Sequence, residues 1–388
     1  MDLLTIGVLA IIALATLIYL YFKKRFSYWE NRGVVHLKPS FPLGNLSLKQ
    51  PHFTEFMIDI YKYKGGTPLV GIYFVTKPIV IPIELDLIQN ILVKDFSSFH
   101  ARGMYVNEVD DPLSAHMFSL DGEKWKSIRT KLSPTFTSGK MKYMFLTVVA
   151  VAERFLETLG DSVKLESQLE VTDLLGRFTT DVIGSCTFGI ECNSLKDPNS
   201  EFRQYGKKAS SEPPMPLIMH MLVLLYPDLA RKLHLRALRK DVTDFFLDTV
   251  RSTVNYLKEN NIQRNDFMDL LIQINNNPNE ADKISLEEMA AQAFLFFIAG
   301  FETSSSVMTF CLYELSLNQD IQEKAREEIT QVLIDHDGKL TYEGMQQMTY
   351  LEKIVNETLR KYPSLPFLIR STVRDYAMPD SNLVIEKG

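Results

Sequence analysis

The sequence predicts a mainly α-helical protein with a small β region near its start, preceded by one transmembrane helix. Three observations carry this. Apolar residues recur with helical spacing over most of the chain after Glu84. One β-rich run, Leu69–Ile83, breaks around Thr76-Lys77-Pro78 and reads as a hairpin-like pair. Leu3 to Phe22 carries no charge, and at ~1.5 Å rise per residue it is long enough for a bilayer core of ~30 Å.

From the amino terminus, residues 1–25 read as a signal anchor. Lys23, Lys24 and Arg25 come directly after the apolar run, and the positive-inside bias places the downstream chain in the cytosol. A cleaved signal peptide is the alternative, but the charges lie after the run and no small-residue cleavage site ends it. Residues 26–50 read as a hinge, stiffened by two prolines in HLKPSFPLGNL. Residues 51–388 read as one large domain. The 388 residues carry 46% hydrophobic side chains, enough for a substantial core, and a net charge of −6, which argues against a nucleic-acid partner. Cys186, Cys192 and Cys311 form neither a disulfide framework nor a zinc pattern.

Helices are expected over Asp86–Val93, Glu123–Leu132, Lys140–Leu159, Val171–Cys186, Lys240–Asn260, Phe267–Ile274, Leu286–Leu317, Asp320–Asp335 and Thr349–Tyr362. The longest begins at a capping box, Ser285 with Glu288. Prolines bracket a Met- and Leu-rich stretch between Pro213 and Pro227, which reads either as a core helix or as a surface touching a bilayer.

Three constellations could carry chemistry. Within the long helix, Ala299-Gly300-Phe301-Glu302-Thr303 sets an acid beside an alcohol in an apolar run. Burying that carboxylate needs partners or water. A mid-helix glycine costs about 1 kcal/mol against alanine, and close approach of a flat ligand is one reason to keep it. Thr303 could bond back to the preceding turn. The plain alternative is a core helix. Trp125 and Arg129 share a helical face and could hold an anion, or form a surface cation–π pair. Lys124 to Lys142 holds six basic residues and no acid, either a solvated face or a docking patch for an acidic partner. Glu357 and Arg360, three apart, can pair; exposed, such a pair contributes little.

In this order, WxxxR, AGxET in a long helix and ExxR behind an anchor and a Pro-rich hinge resemble the cytochrome P-450 family, a match that also runs through LDGEKWKSIRTKLSPTFTSGKMK and FTTDVIGSCTFGIECNSLKDP. The stretches look most like its insect microsomal, detoxification-type branch. The resemblance implies haem b as cofactor, with electrons from NADPH through a flavoprotein reductase. It implies O2-dependent oxidation of an apolar small molecule, at the endoplasmic reticulum membrane. Ala299 and Gly300 would lie over the distal haem face, and Glu302 and Thr303 would deliver protons as O2 is activated. Trp125, Arg129, Arg102 and Arg370 would hold the haem propionates. Glu357 and Arg360 would brace the core, and the Lys124–Lys142 stretch would receive the reductase. Phe297, Phe301 and Leu368 are pocket-facing candidates. No FxxGxxxCxG pattern occurs, so the proximal cysteine is expected beyond Gly388, in a carboxyl-terminally truncated form of the fold with no metal ligand of its own. A non-catalytic anchored binding or scaffold protein is the rival reading.

Overall fold

The computed structural model describes residues 3–46, 53–165, 168–211, 215–264, 266–279, 283–365, 367–379 and 381–388. Their packing forms two compact units, Met1–Arg102 with Ile369–Gly388, and Gly103–Leu368.

The first unit starts with helix α1, Leu3–Phe26. It has no acid in its first turn and ends on Lys23, Lys24 and Arg25, cations suited to a helix carboxyl end. Its apolar side chains are exposed, and its length and hydropathy fit a membrane span. Helix α2 is Phe53–Tyr61. Strands β1 (Leu69–Phe74) and β2 (Lys77–Pro82) pair antiparallel with Leu69 opposite Pro82 and Phe74 opposite Lys77. Their turn is carried by Val75 at φ +57°. Residues read as hinge are bonded to β1: Gly71 N–H donates to Val35 O at 2.8 Å, and Tyr73 N–H to the Asn45 side chain at 2.7 Å. Glycine is required at 71 because a Cβ there would meet the Trp29 ring at 2.6 Å. Helix α3, Leu85–Gln89, closes this segment.

The second unit holds the long helices. They are α4 (Gly122–Leu132), α5 (Ser138–Leu165), α6 (Val171–Ile183), α7 (Glu201–Ser211), α8 (Leu217–Leu225), α9 (Pro227–Lys232), α10 (Lys240–Glu259), α11 (Phe267–Asn275), α12 (Leu286–Leu317), α13 (Gln319–Asp335), α14 (Tyr342–Gln347) and α15 (Thr349–Lys361). In the first unit, strands β3 (Tyr376–Ala377) and β4 (Val384–Ile385) pair antiparallel. Helices α2, α7, α9 and α14 were not expected from the sequence; each is short or polar enough to lack a long apolar repeat. The expected Val171–Cys186 helix ends at Ile183, and a π turn, Gly184–Phe188, comes next. Gly184 lies there because a Cβ would sit 2.1 Å from the Cys192 sulfur.

Helix α12 is the axis of the second unit. Its start is sealed by the expected capping box, with Ser285 Oγ accepting from Glu288 N–H at 3.1 Å and Glu288 accepting from Ser285 N–H at 2.7 Å. Although long and apolar enough for a bilayer, it packs its first half, Met289 to Phe301, into the protein core. Phe202, Phe246, Phe294 and Phe297 interlock there, with Phe202–Phe297 centroids 4.9 Å apart and edge-on. Gly206 of α7 lets Phe297 approach, since a Cβ would lie 2.6 Å from its ring.

Candidate functional site

The middle of α12 presents a stripe that the core does not cover. Ala299 and Glu302 are exposed and Thr303 is half-buried, whereas Phe297 (0% exposed) and Phe301 (6%) are sealed in the core. Glu302 meets water, one of the two means expected to satisfy it. One expectation is corrected here. Phe297 and Phe301 face away from the stripe: at 100° per residue they lie on the opposite side of the helix, stacked 5.6 Å apart. Leu368, the third pocket-facing candidate, is 61% exposed.

Three hydroxyls donate to helix carbonyls around this stripe, while the helix itself stays continuous. Thr303 Oγ1 donates to Ala299 O at 2.5 Å, Thr179 Oγ1 from α6 donates to Phe301 O at 2.9 Å, and Ser305 Oγ donates to Glu302 O at 3.0 Å. Hydroxyls competing for carbonyls within one turn loosen a helix. Gly300 has a packing reason as well as the expected one. A Cβ there would meet Ile183 Cδ1 at 2.4 Å, so the glycine serves the close packing of α6 on α12.

Trp125 and Arg129 lie on α4, one turn apart. Trp125 is half-buried against the main core, while Arg129 is exposed and has no ion-pair partner among the described residues. In the first unit, Ala101 and Ser371 form an antiparallel bridge, with Ser371 N–H donating to Ala101 O at 2.9 Å. That register sets Arg102 opposite Arg370. Arg370 Nε is buried and without a hydrogen bond, so one of its donors is available.

Glu357 and Arg360 form a two-pronged ion pair, both contacts at 2.7 Å, that is exposed. Its arginine holds the Glu357 carboxyl below its ordinary range. Of the basic residues between Lys124 and Lys142, Lys124 pairs with Glu108 at 2.6 Å and Lys142 pairs with Glu343. A cavity of ≈620 Å³ lies between α7 and α10 and another of ≈580 Å³ between α4 and the start of α12; neither is lined by Ala299, Glu302 or Thr303.

In the second unit, the open stripe on α12 suits a flat ligand; in the first, Arg370 Nε, without a hydrogen bond, suits a carboxylate. The cysteines do not fit an iron ligand. All three are buried; burial, then the charge of Asp266, pushes the Cys186 thiol up to about 11, and burial and Asp181 raise Cys192 further still. Among the described residues no cluster of His, Cys, Asp or Glu could hold a metal ion.

An acid and an alcohol thus lie on the exposed face of α12, and the chain begins with a helix apolar enough for a membrane span. Residues 38–388 match the Cytochrome P-450 family model. The chain is 46% identical to "Probable cytochrome P-450 6a14" of Drosophila melanogaster, with 94% of this chain and 75% of that protein aligned. It is 44% identical to Cytochrome P-450 6A1 of Musca domestica (99% and 76%) and 44% to Cytochrome P-450 6a2 of Drosophila melanogaster (97% and 78%). The chain belongs to the cytochrome P-450 family. It is a haem-dependent monooxygenase with haem b as cofactor, which draws electrons from NADPH through a reductase and acts on small molecules.

Proposed function

We propose that the protein oxidises apolar small molecules over the Ala299–Thr303 stripe, anchored by α1 in the endoplasmic reticulum membrane with its helical unit in the cytosol. The exposed acid–alcohol stripe, opposite the sealed Phe297 and Phe301 on the same helix, carries this reading. Haem, when bound, supplies the iron at which O2 is activated. The chain's own groups do the rest. Ala299 and Gly300 leave room for a flat group. Thr303, pinned to Ala299 O, orders a proton donor, and the exposed Glu302 carboxylate relays protons from water. Trp125 and Arg129 are assigned to propionate on the strength of the family resemblance, and so are Arg102 and Arg370. Glu357 and Arg360 serve as a structural pair. The test offers two substrates of equal size, one apolar and one carrying a carboxylate, to the haem-loaded protein with reductase. Product should form faster from the apolar one by at least about tenfold, a bound of ~1.4 kcal/mol that lies below the cost of burying an unpaired carboxylate. Equal rates would remove the apolar-substrate reading.

Near α8, Met219, Leu224, Tyr226, Leu229 and Leu233 are exposed beside Arg231 and Lys232. This supports the bilayer-touching alternative for part of the Pro213–Pro227 stretch, of which Pro213 and Pro214 lie outside the described residues. The basic stretch on α4 and α5 is assigned to reductase docking. Reversing charge at Lys126, Lys131 and Lys140 should slow reductase-driven turnover, most at low ionic strength, and leave peroxide-driven turnover unchanged. An equal fall by both routes would show that the stretch supports folding instead.

A further inference from the structure

Seven residues before Ala299, the fully buried Gln292 interrupts the apolar start of α12. Its side chain bonds to none of the helix. Gln292 Oε1 accepts from Met117 N–H at 2.9 Å, and Nε2 donates to Ala115 O at 3.3 Å, so one amide holds two backbone groups of the loop that precedes α4. The loop also holds itself. Ser119 Oγ donates to Ser114 O at 2.7 Å and lies 2.8 Å from His116 Nδ1, and Ser114 Oγ accepts from Asn107 N–H at 2.9 Å. His116 reaches Phe294 of α12, with ring centroids 6.5 Å apart. A buried amide with both ends satisfied by a distant backbone is a register device: displacing the loop strands two backbone groups and the amide together.

Helical geometry says where this clamp acts. Positions 292, 299 and 303 differ by seven and four residues, so their side chains lie within about 20° of one line along α12. The clamp therefore seats the loop on the same face as Ala299 and Thr303, about 10 Å along the axis from Ala299. His116, Met117 and Phe118 on that loop are only half-buried. We infer that Gln292 is a positioning residue, which fixes Ala115–Ser119 as one wall of the substrate space and so decides which atom of an apolar substrate is oxidised. The inference rests on the reading that the Ala299–Thr303 stripe faces the reacting site.

The experiment compares wild type with Gln292→Leu and Gln292→Glu in the haem-loaded protein. Leucine keeps the volume and abandons both backbone groups. Glutamate, kept protonated by burial, retains one donor and one acceptor. In Gln292→Leu, the Met117 amide should exchange with deuterium on the order of tenfold faster, while the amides of α12 itself keep their protection. For a substrate with two oxidisable carbons, the product ratio should shift at least about threefold, since a displaced wall need alter relative placement by only ~0.6 kcal/mol. Gln292→Glu should return both readouts toward wild type. If Gln292→Leu does not fold, Gln292→Asn, one methylene short of the loop, is read in the same way. Unchanged Met117 exchange, or faster exchange with an unchanged product ratio, overturns the inference. The reading of the stripe fails separately, through unaltered coupling in Thr303→Ala, and the exchange result stands whichever way that falls.

Discussion

Thr303→Ala in the haem-loaded protein is expected to leave haem content at its wild-type level while product formed per NADPH consumed falls by at least about tenfold, with hydrogen peroxide appearing in its place. Positioned proton transfer is worth on the order of 10²–10⁴-fold, so a tenfold loss is the conservative bound. Thr303 can matter this much because its hydroxyl is held: Oγ1 donates to Ala299 O at 2.5 Å, so its oxygen is presented in one orientation on the open stripe. When that order is lost, electrons still reach O2, and two protons from solvent complete its reduction to hydrogen peroxide without oxidising the substrate. The fold should survive, since alanine is the better helix former and the back-bonded threonine already strains the turn. Thr303→Ser, which keeps the hydroxyl, should restore most of the coupling. Peroxide and product yields equal to wild type in Thr303→Ala would remove Thr303 from the mechanism.

How far the site was legible depends on whether a residue's role is local. The span Leu286–Leu317 could be read residue for residue because its start is a local chemical pattern, Ser285 with Glu288, and its apolar run ends at Asn318. The back-bond from Thr303 was legible for the same reason, since it closes within one turn. Burial was not. Whether Glu302 is dry depends on what covers that face of α12, and Gly300 answers to Ile183, more than a hundred residues earlier in the chain. Gln292 left a visible trace as the one amide in AAQAFLFF, but its partners, Met117 and Ala115, belong to a loop with no pattern of its own. The ion pair between Glu357 and Arg360 was legible from its spacing, and its exposure was not.

Asp173→Asn should destabilise the second unit by about 1–3 kcal/mol, the cost of stripping one partner from a buried hydrogen-bonded charge, and lower its thermal midpoint by roughly 2–8 °C. The buried charge is Arg203 on α7, whose side chain is 3% exposed. Its Nη2 donates to Asp173 Oδ1 at 2.7 Å and to Asp173 O at 3.3 Å, and its Nε has no partner, so Asp173 is its main compensation. Gly176 makes the approach feasible, with the Arg203 guanidinium 3.1 Å from where a Cβ would stand. Arg177 Nη2 grips the other carboxylate oxygen, Oδ2, at 2.6 Å, and Lys207 adds a third cation at 3.3 Å. Burial alone would raise the Asp173 carboxyl, but the hydrogen bonds and charges of Arg177 and Arg203 outweigh it and bring it down to about 2. A carboxyl depressed in the folded state stabilises the fold above its ordinary value near 3.8, and that contribution is lost as pH falls toward about 2. With solvent screening at its open edge, the contribution is about 1 kcal/mol. Wild type should therefore lose more stability than Asp173→Asn does between pH 5 and about pH 2. The double variant Asp173→Asn/Arg203→Met removes both charges and should recover much of the loss, because a missing pair strands less than a broken one. Thermal melts of the three proteins across that pH range decide the matter. An Asp173→Asn midpoint within about 1 °C of wild type, which for a unit of this size is well under 1 kcal/mol, would mean that solvent already compensates Arg203.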